Sequence, residues 1–315
     1  MSGMSEVWRL DLARLQWDRM PSLPRKRLRH ACCVVRGRVV VLGGFFAEGS
    51  PDVQTASVEI LGYDDDSEED MWKALPPLSC GIISDIAVAL AIDESESEQG
   101  QVLLIGGQGI GVGINIGVGG RPSVHLVDLA TGVCTLLQDI GHSVITVDCS
   151  SVRLPDGRIA CMGGAFSTVM EPPEQGAPNG ATWLWRALPD TIVECDYRSG
   201  CLLSDGRFAV FGGLGPPSST SSNSSSSSSD LATSFMSSCE VLTFDAHEER
   251  WDPLPPMREA RCWHSCMAIA GCVIVAGGDG SETLEVYEEG LDQWIRLPCG
   301  LPNDSDLCWT GMTLL

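Results

Sequence analysis

The chain has few cations and few aromatic rings other than tryptophan. Its 315 residues carry 20 Lys and Arg against 42 Asp and Glu, a formal charge of −22. Nucleic-acid binding draws on a broad basic surface, so no nucleic-acid partner is expected. With only 3 Tyr and 7 Phe, the expected core is aliphatic, Cys-rich and plated by the 9 Trp. No apolar run reaches spanning length, and the opening Met1-Ser2-Gly3-Met4-Ser5-Glu6 lacks a signal-peptide core. A soluble cytoplasmic or nuclear protein without membrane contact is the expectation.

Also missing is any C-x-x-C pair, although there are 14 Cys. Cys32, Cys33, Cys149, Cys161, Cys266, Cys272 and Cys308 fall in predicted strands, where a free Cys acts as a small hydrophobe. Cys262, His264 and Cys266 come nearest to a ligand cluster. They are read as structural, and neither metal nor cofactor is expected. The five histidines, His30, His125, His142, His247 and His264, are scattered, so no catalytic residue is assigned. The glycine-rich stretch 106–120 fits no G-x-G-x-x-G register and precedes no helix pattern, which excludes a phosphate cradle.

Glycine is plentiful, and it is placed regularly. Pairs stand at Gly43-Gly44, Gly106-Gly107, Gly163-Gly164, Gly212-Gly213 and Gly277-Gly278. Six residues before each pair is another glycine: Gly37, Gly100, Gly157, Gly206 and Gly271. A second landmark runs in phase, a tryptophan three residues ahead of Leu or Met and then proline. It occurs at Trp17, Trp72, Trp185, Trp251 and Trp294, and Cys134 takes the tryptophan place in the remaining unit. Such self-similarity means one supersecondary unit used repeatedly.

Within a unit, residues 30–35 form an unalternated apolar strand and Arg36-Gly37 a two-residue hairpin connection. Asp156-Gly157 and Asp205-Gly206 are expected to form the same type I′ turn. Arg38 to Leu42 returns, Ser57 to Tyr63 supplies a third strand, and Trp72 anchors a fourth. A single four-stranded meander cannot bury both faces, whereas radial repetition buries them and protects the edges.

These residues resemble kelch repeats: the strand ending in Gly-Gly, the Val-Glu third strand, the Trp-x-x-Leu-Pro fourth strand and the opening Arg261-Cys262-Trp263-His264-Ser265. The resemblance covers nearly the whole chain and implies an all-β, kelch-type β-propeller. Single-domain blades are expected at 28–76, 84–137, 145–189, 198–255 and 262–298. A sixth, incomplete blade is expected to be shared by the termini, 5–21 and 306–315, where the chain reads as truncated. The Ser-rich insert 216–237 is expected to be a disordered loop.

In an up-down meander, the acidic runs 64–70 and 93–98 leave by one end of the sheets. The connections from strand two to three and from blade to blade leave by the other. There lies the basic run Arg25, Lys26, Arg27 and Arg29, with Arg258 and Arg261 in an equivalent interblade loop. These six residues are the candidate partner-binding set, suited to an acidic peptide through charge-assisted arginine bonds. Alternatively, Arg29 and Arg261 pin the start of strand one. The resemblance implies a non-catalytic protein-interaction module and, by analogy, the substrate-recognition part of a cullin-type ubiquitin ligase. It also admits an oxidase-type or mutarotase-type enzyme, or a specifier protein, with its site at the channel mouth.

Overall fold

In a computed structural model the described residues are 5–46, 53–64, 69–80, 82–92, 97–110, 123–139, 149–163, 166–172, 183–216, 234–244 and 248–302. They form an all-β chain of five successive four-stranded antiparallel sheets. The first contains Ala31–Val35, Arg38–Leu42, Val58–Asp64 and Glu69–Leu75. The second contains Ile82–Ile92, Gln101–Ile110, Ser123–Asp128 and Cys134–Asp139. The third contains Cys149–Arg153, Ile159–Gly163, Phe166–Glu171 and Leu184–Ala187. The fourth contains Ser199–Leu202, Phe208–Phe211, Cys239–Phe244 and Glu249–Leu254. The fifth contains Ser265–Ile269, Cys272–Ala276, Thr283–Glu288 and Gln293–Gly300. An N-terminal hairpin, Val7–Asp11 with Gln16–Met20, precedes them.

Each sheet is a meander, and the first strands of consecutive sheets lie against one another. Side chains tie these inner strands together: the Ser150 hydroxyl donates to the Arg198 carbonyl at 3.1 Å, and Ser199 donates to the His264 carbonyl. The core is not one mass but a series of apolar layers, each between two neighbouring sheets. Val152, Ala160 and Met162 of the third sheet meet Phe208, Val210 and Trp251 of the fourth. Phe211 and Val241 of the fourth meet Val273, Val275 and Trp294 of the fifth. Phe208 and Phe211 are fully buried, and burial of each side chain contributes roughly 1.5–3 kcal/mol.

The tryptophans bolt neighbouring sheets together at the outer strands. The indole N–H of Trp251 donates to the Pro189 carbonyl at 2.9 Å, and that of Trp294 to Pro255 at 2.8 Å. Trp72 donates likewise to Pro21, and Trp17 to Gly300, both at 2.8 Å. Pro21, Pro189 and Pro255 follow the last strand of the preceding sheet or hairpin, and Gly300 ends the last strand of the fifth sheet. The N-terminal hairpin therefore touches both ends of the series, with Leu10 and Trp17 packed on Ile274, Leu284 and Leu301.

The turns correct one expectation. Arg36 and Gly37 both have positive φ, 51° and 72°, as the type I′ turn requires, and Ala270 and Gly271 do the same at 50° and 77°. At Asp156-Gly157 and Asp205-Gly206 only the glycine is left-handed. There Gly157 N–H returns to the Leu154 carbonyl at 2.9 Å, and Gly206 N–H to Leu203 at 2.9 Å. These are three-residue hairpins with a bulge glycine. The Asp carboxylate itself caps the turn, accepting from the Arg158 amide in one and the Arg207 amide in the other, each at 3.0 Å. Several expectations fall outside the described residues: the strand at 306–315, residues 217–233 of the Ser-rich insert, the centres of both acidic runs, Gly164, His142 and His247.

Candidate functional site

The connections opposite the hairpin turns are held together by backbone pairing. Arg27–Leu28, in the segment entering the first sheet, pairs with Phe45–Phe46 after the glycine pair, which in turn pairs with Val53–Gln54. At the fourth sheet, Asp196 and Leu214 exchange backbone bonds of 2.9 and 2.8 Å, and Leu214–Gly215 pairs with Ser234–Phe235. At the first and fourth sheets the strand-two to strand-three loop and the entering segment are thus joined by backbone pairing.

Beneath these connections sits a recurring buried ion pair. Arg27 donates to the Gly43 carbonyl at 3.0 Å, to Ser57 Oγ at 2.8 Å and to Glu59. Arg198 donates to the Gly212 carbonyl at 3.2 Å, Ser238 Oγ at 3.3 Å and Glu240 at 2.8 Å. Arg261 donates to the Gly277 carbonyl at 2.7 Å, Ser281 Oγ at 2.7 Å and Glu285 at 2.9 Å. The carboxylates also collect backbone amides from the entering segment: Ile192 and Val193 on Glu240, Arg258 and Glu259 on Glu285. The first glycines of the three pairs have φ of 62°, 61° and 68°. That left-handed backbone holds each carbonyl in reach of its guanidinium.

The six candidate arginines and lysine consequently divide. Arg27 and Arg261 are only 2 % and 0 % exposed. Their burial corrects the expectation that they face a partner, because each is consumed by a glycine carbonyl and a carboxylate. Burial lowers the Arg27 pKa, and Glu59 opposes that shift. Arg29 is half-buried in a left-handed conformation, φ 51°. Arg25 and Lys26 are exposed, and the Arg25 guanidinium carbon lies over the Phe46 ring, 3.5 Å from its centre. Arg258 is exposed, and its Nε donates to the Trp294 carbonyl at 2.9 Å.

Arg198 escaped the sequence reading. Arg27 and Arg261 stand four residues before the first paired residues of their sheets, Ala31 and Ser265, whereas Arg198 stands immediately before Ser199. The shared signal was a third-strand Glu opposite the residue two before the glycine pair: Glu59 faces Val41, Glu240 faces Val210 and Glu285 faces Val275. At the same register the second and third sheets carry His125 and Thr168.

Two buried imidazoles accompany the pairs. Burial and the neighbouring cation lower His30 to about 4, the cation being Arg27, and His264 to about 3, where it is Arg261. Both are neutral near pH 7. Among the described residues no three His, Cys, Asp or Glu side chains converge as metal ligands. No helix of the described residues is long and apolar enough to cross a membrane.

Comparison with known proteins agrees in outline. No family profile matches the chain. One segment is 29 % identical over 124 residues to an Arabidopsis thaliana protein described as the F-box/kelch-repeat protein At1g16250, covering 36 % of this chain and 30 % of that one. Another is 35 % identical over 74 residues to the Arabidopsis thaliana F-box/kelch-repeat protein SKIP30, covering 23 % of this chain and 19 % of the relative. The aligned segments thus span less than a third of either relative. Among solved structures, YjhT superposes with a TM-score of 0.61 at 12 % identity, over 94 % of this chain and 98 % of YjhT. A fungal alcohol oxidase of the AA5 family, solved with copper, gives 0.60 at 14 % identity over 96 % of this chain and 60 % of the oxidase. The chain is similar to kelch-repeat proteins in segments of its sequence and is of β-propeller type in its fold.

Proposed function

We propose that the chain is a non-catalytic protein-interaction module whose loop face receives an acidic peptide. The observation that carries this reading is the exposed cation pair Arg25 and Lys26, with Arg25 stacked on Phe46. Stacking restrains the guanidinium in advance, so less freedom is lost when it meets a carboxylate. A locally basic patch on a chain of charge −22 also selects against the rest of its own surface. Similarity to F-box/kelch-repeat proteins supports protein partners. Service as the substrate-recognition part of a cullin-type ubiquitin ligase is the more specific form of this proposal.

The ring is proposed to have six blades. Trp72 bonding Pro21 and Trp17 bonding Gly300 support this, because they make the N-terminal hairpin the neighbour of both the first and the fifth sheet. Residues 306–315 are proposed to contribute to the same blade.

The test is affinity capture with the intact chain and with an Arg25→Glu, Lys26→Glu variant. Arg27 and Arg29 are left alone because one is buried and the other half-buried. Loss of acidic partners from the variant is expected, and identical partner sets would overturn the basic-face proposal. Recovery of a cullin adaptor with the intact chain would support the ligase form.

A further inference from the structure

Five sheets carry a fourth-strand residue at one fixed register, opposite the third-strand residue that faces the position four before the glycine pair. Trp72, Trp185, Trp251 and Trp294 hold it in four sheets. In the second sheet Cys134 holds it, opposite Val127 and Val102. At Trp72, Trp251 and Trp294 the indole clamps the segment arriving from the preceding sheet, whereas the indole N–H of Trp185 has no such bond among the described residues. A thiol is too short to reach that carbonyl.

The second sheet compensates by drawing its incoming segment close. The Ser79 amide donates to the Gly132 carbonyl at 2.8 Å, and the Cys134 amide donates to Ser79 Oγ at 2.8 Å. Gly132 is left-handed, φ 71°, and a Cβ there would strike the Pro77 and Pro76 carbonyls. This contact brings the neighbour of Ser79, Cys80, toward Cys134, whose thiol donates to the Gly132 carbonyl at 3.6 Å, and both thiols pack on the same apolar layer as Leu78 and Val127. Both are free thiols and both are partly exposed.

We propose that Cys80 and Cys134 form a reversible disulfide that replaces the missing tryptophan clamp between the first and second sheets. The neighbouring Cys80 thiol lowers the Cys134 pKa, while Cys134 and burial push Cys80 up, so Cys134 is the more readily ionised of the two and is the thiol that attacks first, as its thiolate. The oxidant is a hydroperoxide, hydrogen peroxide being the simplest. Cys134 sulfur attacks one peroxide oxygen, the O–O bond breaks, and the departing hydroxide takes a proton to become water, leaving a sulfenic acid. The negative charge beside Cys80 is then gone. Cys80 loses its proton and attacks the Cys134 sulfur; the S–S bond forms, the S–O bond breaks, and the departing hydroxide takes that proton as a second water. Two thiols are oxidised and one peroxide is reduced.

The chain is treated with hydrogen peroxide near neutral pH, blocked, digested without reductant and mapped by mass. A linked Cys80–Cys134 peptide, reversed by dithiothreitol, is expected. Cys80→Ser should instead leave a sulfenic acid on Cys134 that a dimedone probe captures, and Cys134→Ser should abolish both products. Both variants replace a thiol by a hydroxyl, and circular dichroism establishes that they are folded. Absence of the linked peptide from folded protein, or equal linkage among other cysteines, would overturn the proposal. Clamping has its own readout: amide exchange over residues 128–137 should slow by roughly threefold or more on oxidation. Unchanged exchange would overturn the clamp.

Discussion

Glu240→Ala is the sharpest probe of how this face is held. Glu240 is 1 % exposed and accepts from the amides of Ile192 at 2.7 Å and Val193 at 3.0 Å. Its third donor is Arg198 at 2.8 Å, in an ion pair whose side chains are each 2 % exposed. Truncation leaves a buried guanidinium without its carboxylate, an effect of about 3–5 kcal/mol. It also leaves two amides without an acceptor, each costing about 1–3 kcal/mol unless water enters the space. These effects share one cavity and do not add, so a loss of about 4 kcal/mol is expected. Glu285→Ala should lose less, because Arg261 keeps Glu259 at 2.9 Å. Glu240→Gln, which retains an acceptor oxygen, should fall between wild type and Glu240→Ala. Guanidinium denaturation at pH 7, extrapolated linearly, measures the series. A loss below about 1 kcal/mol for Glu240→Ala would refute the claim that this pair is desolvated and structurally required.

Lowering the pH from 6.5 to 4 should destabilise the fold. The unfolded chain takes up protons on His30 and His264 near 6.5 while the folded one resists until about 4 and about 3, so stability is complete above 6.5 and lost as pH falls through the folded values. His264→Asn should flatten the slope; a wild-type curve level across that window would contradict neutral burial. Gly44→Ala places a Cβ 2.6 Å from the Leu28 carbonyl at φ 86°, whereas Gly37 is left-handed with open space around it. Thermal melts should show Gly44→Ala losing several times more than Gly37→Asn, with about 1 kcal/mol or less expected for the latter. Trp251→Phe keeps the ring but loses the bond to Pro189; a loss of roughly 1–2 kcal/mol is expected, and none at all would remove the clamp from the account. Among the described residues Val7–Asp11 pairs only with Gln16–Met20, so its amides should exchange faster than those of Phe208–Phe211.

The repeat was legible because its landmarks answer local geometric demands. In the first, fourth and fifth sheets the glycine pair marks a left-handed backbone, and Trp17, Trp72, Trp251 and Trp294 each mark an indole with a carbonyl to reach. Cys134 was visible as a substitution in that pattern; its pairing with Cys80 was not, since it arises from a bond between Ser79 and Gly132. The two Asp-Gly turns were misread for a related reason. Asp-Gly favours a type I′ turn in isolation, but Asp156 and Asp205 instead use their carboxylates to accept the amides of Arg158 and Arg207.

The basic run was harder to read because charge in sequence suggests water. Arg27 lies between Lys26 and Leu28 in a stretch of four cations, yet it alone is drawn fully under the face, toward Glu59. What decides its fate is the third-strand Glu about thirty residues on and the carbonyl of Gly43. The glycine pair and the Arg–Glu pair are therefore one device in the first, fourth and fifth sheets: the left-handed glycine presents the carbonyl and the guanidinium closes it onto the carboxylate. In the second and third sheets the glycine pairs persist although His125 and Thr168 replace the Glu. The second sheet is also where the tryptophan clamp gives way to a pair of thiols. The second sheet thus departs from the repeat both at the third-strand Glu and at the fourth-strand tryptophan, and at its seam with the first sheet a reversible bond would supply the missing clamp.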